Sequence, residues 1–243
     1  MRIYTFAKRT LKEILRDPLT LIFGLGFPAV LILLLSAIQA NIPVSLFEID
    51  NLVPGMTVFG LSFMTLFSAT LIAKDRESAF LTRLYATPMK ALDFILGYTL
   101  PILPIAIVQS AFCFMIGLIL GMELSINILY SILFIIPIAL FFIGLGLLFG
   151  SLLNQKQVGG ICGAALTNLT AWLSGIWFDL ELVGGAFKWV ANILPFRHAV
   201  QIEQMVFSGD FSSILPHLLW VIGYALFSIA LAVVLFMKQM KKG

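Results

Sequence analysis

The sequence predicts an all-α polytopic membrane protein with six transmembrane helices, and three observations carry that reading. Apolar residues fill 60% of its 243 positions and charged residues 11%, with a mean hydropathy of +1.06, whereas about a quarter of a soluble domain is charged. Apolar runs able to cross about 30 Å of hydrocarbon recur, at Leu19–Ala40, Pro54–Ala73, Phe94–Gly121, Ile126–Leu153, Gly159–Phe178 and Leu215–Met237. Such spans have to be helices, because lipid offers no partner to an open backbone N–H or C=O. Finally, six spans place thirteen of the 15 Lys and Arg residues on one side, leaving only Lys188 and Arg197 opposite. Acidic residues divide five to seven and show no such bias. Basic residues accumulate on the cytoplasmic side, so both termini are expected there. The net charge of +3 follows from this bias and implies no nucleic-acid partner.

Residues 1–17 read as an amphipathic helix lying in the membrane interface. Ile3, Phe6, Ala7, Thr10, Leu11, Ile14 and Leu15 share one face, and Arg2, Lys8, Arg9, Lys12, Glu13 and Arg16 the other. This helix is either a plain anchor or a lever that also touches a cytoplasmic partner. A signal peptide is a poor reading, because the first apolar run is too long and five more follow. Asp17 and Pro18 mark a break, with proline tolerated in the first turn of the next helix. Pro101 and Pro104 in the third span and Pro137 in the fourth are candidate kink points. Gly146 and Gly150 in the fourth span and Gly159 and Gly163 in the fifth form small-xxx-small patterns that permit close helix approach. The short connection Asn154–Gln157 predicts that these two spans are antiparallel neighbours. Between spans five and six, residues 179–214 contain apolar pieces too short to cross, separated by Pro195. An external re-entrant helical hairpin is the reading that satisfies their backbone, with Trp177, Phe178, Phe187 and Trp189 as boundary anchors.

Residues 74–93 are a charged island between spans two and three. Asp75 is expected to cap a helix, with Glu77 in its first turn where negative charge suits the dipole. Phe80, Leu81, Leu84 and Tyr85 form an apolar stripe, Arg76 and Arg83 project elsewhere, and Thr87-Pro88 ends the helix.

Little in the sequence suggests catalysis or ion coupling. The expected spans hold almost no ionisable residue, which argues against a proton- or sodium-driven pump. His198 and His217 lack a metal-ligand pattern. Ser174 with His198 is a poor nucleophile–base pair, because Trp172 stands where a glycine would be wanted. Cys113 and Cys162 read as apolar packers. No P-loop sequence occurs. The uncharged polar residues of the spans, among them Ser62, Thr65, Gln109, Thr167 and Asn168, either bond neighbouring helices or, with Trp172, line a path for an amphiphilic substrate.

The order Asp75-Arg76-Glu77, Leu81, Arg83-Leu84, Ala86-Thr87-Pro88 and Leu96-Gly97, with Asn192–Ala199 around Pro195, resembles the ABC-2 type transporter permeases over essentially the whole chain. Ala79 and Thr82 depart from residues common in that family. The resemblance implies a single transmembrane domain over residues 1–243, in a bacterial cell membrane. It makes residues 76–87 a coupling helix that docks on a separate ATP-binding subunit. Asp75, Arg76, Glu77, Phe80, Leu81, Arg83, Leu84, Thr87 and Pro88 would then be the partner-binding residues. The chain itself would need no cofactor, ATP and Mg²⁺ being held by the partner. Two permeases, either two copies or a mixed pair, would work with two ATPase subunits and with membrane lipid around them. Spans 1, 2 and 5 would line the path and the permease interface. The implied activity is ATP-driven export of a hydrophobic or amphiphilic substrate, such as a drug, antibiotic or lipid-like molecule. The alternative is a membrane scaffold or assembly factor that transports nothing.

Overall fold

The computed structural model of the protein describes residues 2–78, 80–85, 87 and 89–240. Of the residues singled out above, Ala79, Ala86 and Pro88 lie outside them. All regular structure among the described residues is helical. Helix α1 (Arg2–Leu15) is followed by α2 (Pro18–Leu21), a π-helical segment (Ile22–Gly26) and α3 (Phe27–Gln39). Next come α4 (Ile49–Glu77), the short α5 (Phe80–Tyr85), α6 (Ala91–Ile119) and α7 (Asn127–Leu152). Helix α8 (Gln155–Val158), a second π-helical segment (Gly159–Leu166) and α9 (Thr167–Leu173) run on continuously. The chain closes with α10 (Leu180–Val183), α11 (Gly185–Ile193), α12 (Pro195–Ser208) and α13 (Ile214–Met240).

Among the described residues, five helical stretches are long and apolar enough to cross a membrane: Ile22–Gln39, α4, α6, α7 and Ile214–Gln239. The stretch expected as the fifth span, Gly159–Phe178, stops being helical at Leu173, because Ser174 and Gly175 turn the chain, Gly175 at a φ of 82°. Within it the Thr167 hydroxyl donates to the Cys162 carbonyl at 3.2 Å, five residues back, in the register of a π turn.

Helix α4 is the centre of the bundle. Of its most apolar window 89% is buried, against 28% for Ile22–Gln39 and 22% for Ile214–Gln239, whose outer faces are left to lipid or to another chain. An encircled helix has to satisfy its polar side chains internally. Ser62 and Ser68 donate to their own helix at Phe59 O and Met64 O, both at 2.7 Å, and Thr65 reaches across to Phe142 O on α7 at 2.7 Å.

Helix α4 packs most extensively on α7, and this contact takes up the glycine pattern of the fourth span. A Cβ on Gly146 would stand 2.6 Å from Thr65 O, and one on Gly150 2.7 Å from Ala69 O. The fourth span therefore uses its glycines for packing within the chain, against the second span. Gly159 and Gly160 meet nothing within 4 Å, and the π-helical segment packs on α4. The short Asn154–Gln157 connection is instead a capping box, with Gln157 N donating to Asn154 Oδ1 at 2.8 Å and Asn154 N to Gln157 Oε1 at 3.0 Å.

We expect Gly150→Ala to destabilise the protein by about 1–3 kcal/mol, the usual cost of overpacking against atoms that cannot move aside. Gly160→Ala, with open space around it, should leave the thermal midpoint of the detergent-solubilised protein unchanged or slightly higher. Equal midpoints for the two variants would remove the argument for close α4–α7 contact.

Candidate functional site: the α1–α4–α5 end and the α3–α4–α9 groove

The charged island does not begin with a capped helix. Helix α4 runs on through Asp75 and Arg76 to Glu77, so Asp75 lies one turn inside its C-terminus with an exposure of 1%. A carboxylate buried there has to be paired. Arg9 of α1 meets it with two parallel bonds, Nη1 to Oδ2 at 2.5 Å and Nη2 to Oδ1 at 2.6 Å. The Tyr98 hydroxyl of α6 donates to Oδ2 at 2.8 Å. Arg9 also pairs with Glu13 at 2.8 Å, and Glu13 with Lys74 at 2.7 Å. Asp75 thus joins α1, α4 and α6 and presents nothing to a partner.

Arg76 and Glu77 are likewise turned inward along the chain. The Arg76 guanidinium donates to Ser151 O and, at 2.5 Å, to Leu153 O, two of the carbonyls left open at the end of α7. Glu77 accepts from the Gln155 backbone N–H at 2.9 Å, in the first turn of α8. These residues fasten the end of α4 to the α7–α8 connection.

Helix α5 is shorter than the helix expected over 76–87, because the chain breaks at Ser78, which closes back on Lys74 O at 3.0 Å. Leu81 is 1% exposed and belongs to the protein's own core. Phe80 and Leu84 are half-buried. Phe80 stacks on Phe6 with ring centroids 6.4 Å apart, and the Arg9 guanidinium lies 4.4 Å above the Phe80 ring. Together with Thr5, Phe6, Thr87 and Met89 they line an open apolar groove of about 470 Å³. Thr87 is an exposed member of its lining, and Arg83 of α5 is exposed as well.

Helix α1 is seated on protein to the same end. Phe6, Thr10 and Ile14, one helical turn apart, are buried, and Phe6 sits against Gly97 of α6 where any Cβ would collide with its ring. Leu15, expected on the apolar face, is 56% exposed. Between α1 and α4 opens a cleft of about 870 Å³ whose lining includes Lys8, Lys12, Arg16 and Lys74 over Phe67 and Leu71.

The six path candidates separate into two groups. Ser62, Thr65 and Gln109 are fully buried, and the Gln109 amide fills the space over Gly60 while donating to Cys113 Sγ at 3.3 Å. Thr167, Asn168 and Trp172 instead line a groove of about 420 Å³, with Phe27, Leu31, Phe59 and Trp177 among its other walls. It lies between α3, α4 and α9. Asn168 and Trp172 are exposed. The hydrolase pair does not form, since Ser174 donates to Ala171 O at 3.1 Å and His198 bonds His217 and Asn192 O at 2.7 and 2.8 Å.

A sequence model described as ABC-2 type transporter matches residues 1–207. The chain belongs to the ABC-2 type transporter family. It is 28% identical over 155 residues to ABC transporter G family member 20 of Dictyostelium discoideum, covering 62% of this chain and 21% of that protein. It is 27% identical over 158 residues to the putative transport permease ycf38 of Cyanophora paradoxa, covering 60% of this chain and 54% of the relative. The chain therefore spans about a fifth and about half of the lengths of these two curated relatives.

In this ABC-2 chain two buried carboxylates escaped the sequence reading. Asp75 was placed at a helix start because its partner Arg9 is 66 positions away. Glu203 of α12 is one of the seven acids that the six-span topology puts on the external side, and its exposure is 0%. The only signal for it was its position three residues before Val206 and one after Ile202, on the apolar face of α12.

Replacing Asp75 by Ala should cost near the lower end of about 3–5 kcal/mol, the penalty for breaking a buried pair, because Arg9 keeps 36% of its side chain exposed. Hydrogen exchange over residues 2–15 checks this. Faster exchange in Asp75→Ala and in Arg9→Gln, with no further gain in the double variant, is the expected pattern, and additive effects would deny the coupling.

Proposed function

We propose that this chain is the membrane-spanning permease of an ABC exporter, powered by a separate ATP-binding subunit that holds ATP and Mg²⁺. The observation that carries the reading is α5: a short helix between two long ones, with Arg83 exposed, beside an apolar groove of Phe6, Phe80 and Leu84 that Thr87 borders. Such a groove with a polar rim suits the insertion of an apolar side chain from a docked protein. Displacement of α5 would pass to α1 through Phe6 and Arg9. It would reach α4 through Ser78, and the α7–α8 connection through Arg76 and Glu77. One push thus reaches three parts of the bundle.

Both termini and α5 are assigned to the cytoplasmic side of a bacterial cell membrane, which the Lys and Arg distribution supports when the continuous helical stretch of residues 155–173 is taken as the remaining crossing. The basic cleft between α1 and α4 suits that surface, where anionic lipid headgroups gather. The working unit is proposed to contain two permeases, either two copies of this chain or a mixed pair. The substrate is proposed to be hydrophobic or amphiphilic, because the α3–α4–α9 groove is aromatic with a single amide, Asn168, among its exposed polar groups. Alternating access through spans 1, 2 and 5 would carry it outward.

Arg83→Glu and Thr87→Arg test docking without touching the core. Each should weaken co-purification with the ATP-binding subunit by at least about tenfold, or about 1.4 kcal/mol, while leaving membrane insertion unchanged. Undiminished binding in both would refute α5 as the docking element and favour a scaffold. Leu81 is unsuited to the test, since its substitution unfolds the segment. Trp172→Ala should raise the concentration of an amphiphilic compound needed to stimulate ATP hydrolysis by the reconstituted complex. An unchanged response would move the path elsewhere.

A further inference from the structure

Glu203 lies mid-way along α12, which packs against α4, α7 and α13. Neither of its carboxylate oxygens has a hydrogen-bond partner, and neither does the buried Ser131 hydroxyl on α7. Among the described residues, no cation of the surrounding elements pairs with it. Asp50 at the head of α4 and Tyr130 on α7 are exposed. Lys188 on α11 pairs with Glu181, and Arg197 of α12 bonds Asn192 and Glu181. On α13, His217 bonds His198 and the Tyr224 hydroxyl donates to Ile193 O. An unpaired carboxylate in such a place takes a proton rather than remain charged. Burial accordingly pushes the Glu203 carboxyl well above the ordinary carboxylate range.

The hairpin around it is held by single neutral bonds. Gln204 Nε2 donates to Asn51 O of α4 at 3.1 Å, Asn127 Nδ2 of α7 to Phe207 O at 2.9 Å, and Trp220 Nε1 of α13 to Ile193 O at 2.8 Å. Joints flank α12: an extended Leu194 before it and Gly209, at a φ of 80°, after it. Movement of α12 away from α4, α7 and α13 parts His198 from His217, leaves the Arg197–Glu181 ion pair intact only if α10 travels with it, and brings Glu203 to water.

We propose that Glu203 is a proton-binding site that links the seating of α12 to pH. Seated, α12 holds Glu203 as the neutral acid. Unseated, the hydrated carboxyl gives its proton to bulk water and becomes the carboxylate, and α12 re-seats only by taking one proton back. Above the ordinary carboxylate range the unseated state binds fewer protons, so rising pH favours unseating and falling pH favours the seat. The site rests on the packing of α12 alone and stands whether or not the chain is an exporter. In an exporter it would make opening at this end release a proton.

The test uses the full chain in lipid nanodiscs, where both faces meet the same buffer. At neutral pH the infrared spectrum should contain a carboxylic-acid C=O band that is missing from Glu203→Gln. Ala199→Cys, buried on α12, is then labelled with a maleimide in a Cys113→Ala, Cys162→Ala background. Relative to the same protein carrying Glu203→Gln, labelling should rise with pH by up to about tenfold per unit, the slope of a one-proton linkage. Ser131→Ala, which keeps the acid, should retain both the band and the pH dependence. A missing band in the unmodified protein, equal pH dependence with Glu and Gln, or a loss of pH dependence in Ser131→Ala would each overturn the proposal.

Discussion

Burial of the Asp75 carboxylate is the constraint on which this end of the molecule depends. At 1% exposure an isolated carboxylate is untenable, and the two bonds from Arg9 and one from Tyr98 are what make it tolerable. Because those partners come from α1 and α6, the charge converts an amphipathic helix that could float in the interface into one with a fixed position on the bundle. Phe6 can then seat against Gly97, and Arg9 can cover Phe80, so the groove beside α5 exists only while the ion pair does.

The same economy governs the rest of α4. A helix surrounded by protein has no water for its polar groups, so its hydroxyls bond backward along the helix or, at Thr65, across to α7. Close approach to α7 needs Gly146 and Gly150, and the open carbonyls at the end of α7 are closed by Arg76. Local needs of two helix ends thereby produce a mechanical link between α4, α7 and α8. A displacement of α5 would therefore meet this braced assembly rather than one loose loop.

What could be read from the sequence was set by short-range chemistry. The all-α membrane class follows from apolar run length, and the break at Pro195 follows from the restriction that proline places on Leu194. Amphipathic α1 follows from a period of 3.6. The failures share a cause in distance along the chain. Asp75 looks like a helix cap until Arg9 is beside it, and the pattern at Gly146 announces a close helix approach without saying that α4, some eighty positions earlier, is the helix approached. Leu81 belongs to an apolar stripe that packs on the protein's own core, and Glu203 is a buried acid, because a six-residue helix and an apolar hairpin fold back onto the core. Thr167, Asn168 and Trp172 converge on one groove because they share a helix, whereas Ser62, Thr65 and Gln109 were separated from them by packing that no local pattern encodes.

The two buried carboxylates have opposite solutions, and the difference bears on where the protein can move. Asp75 is held by an arginine, so displacing its surroundings means separating opposite charges, and α1, α4 and α6 travel together. Glu203 has no counter-charge, and its burial is conditional on a proton that water can accept whenever α12 lifts. About 24 residues of α4, or roughly 36 Å at 1.5 Å per residue, separate Asp75 from Asn51, where Gln204 next to Glu203 is tied. One helix therefore carries a permanent ionic anchor near its end and a reversible, proton-dependent seat at its start. A rigid input end and a releasable output end are what transmission along a single central helix requires.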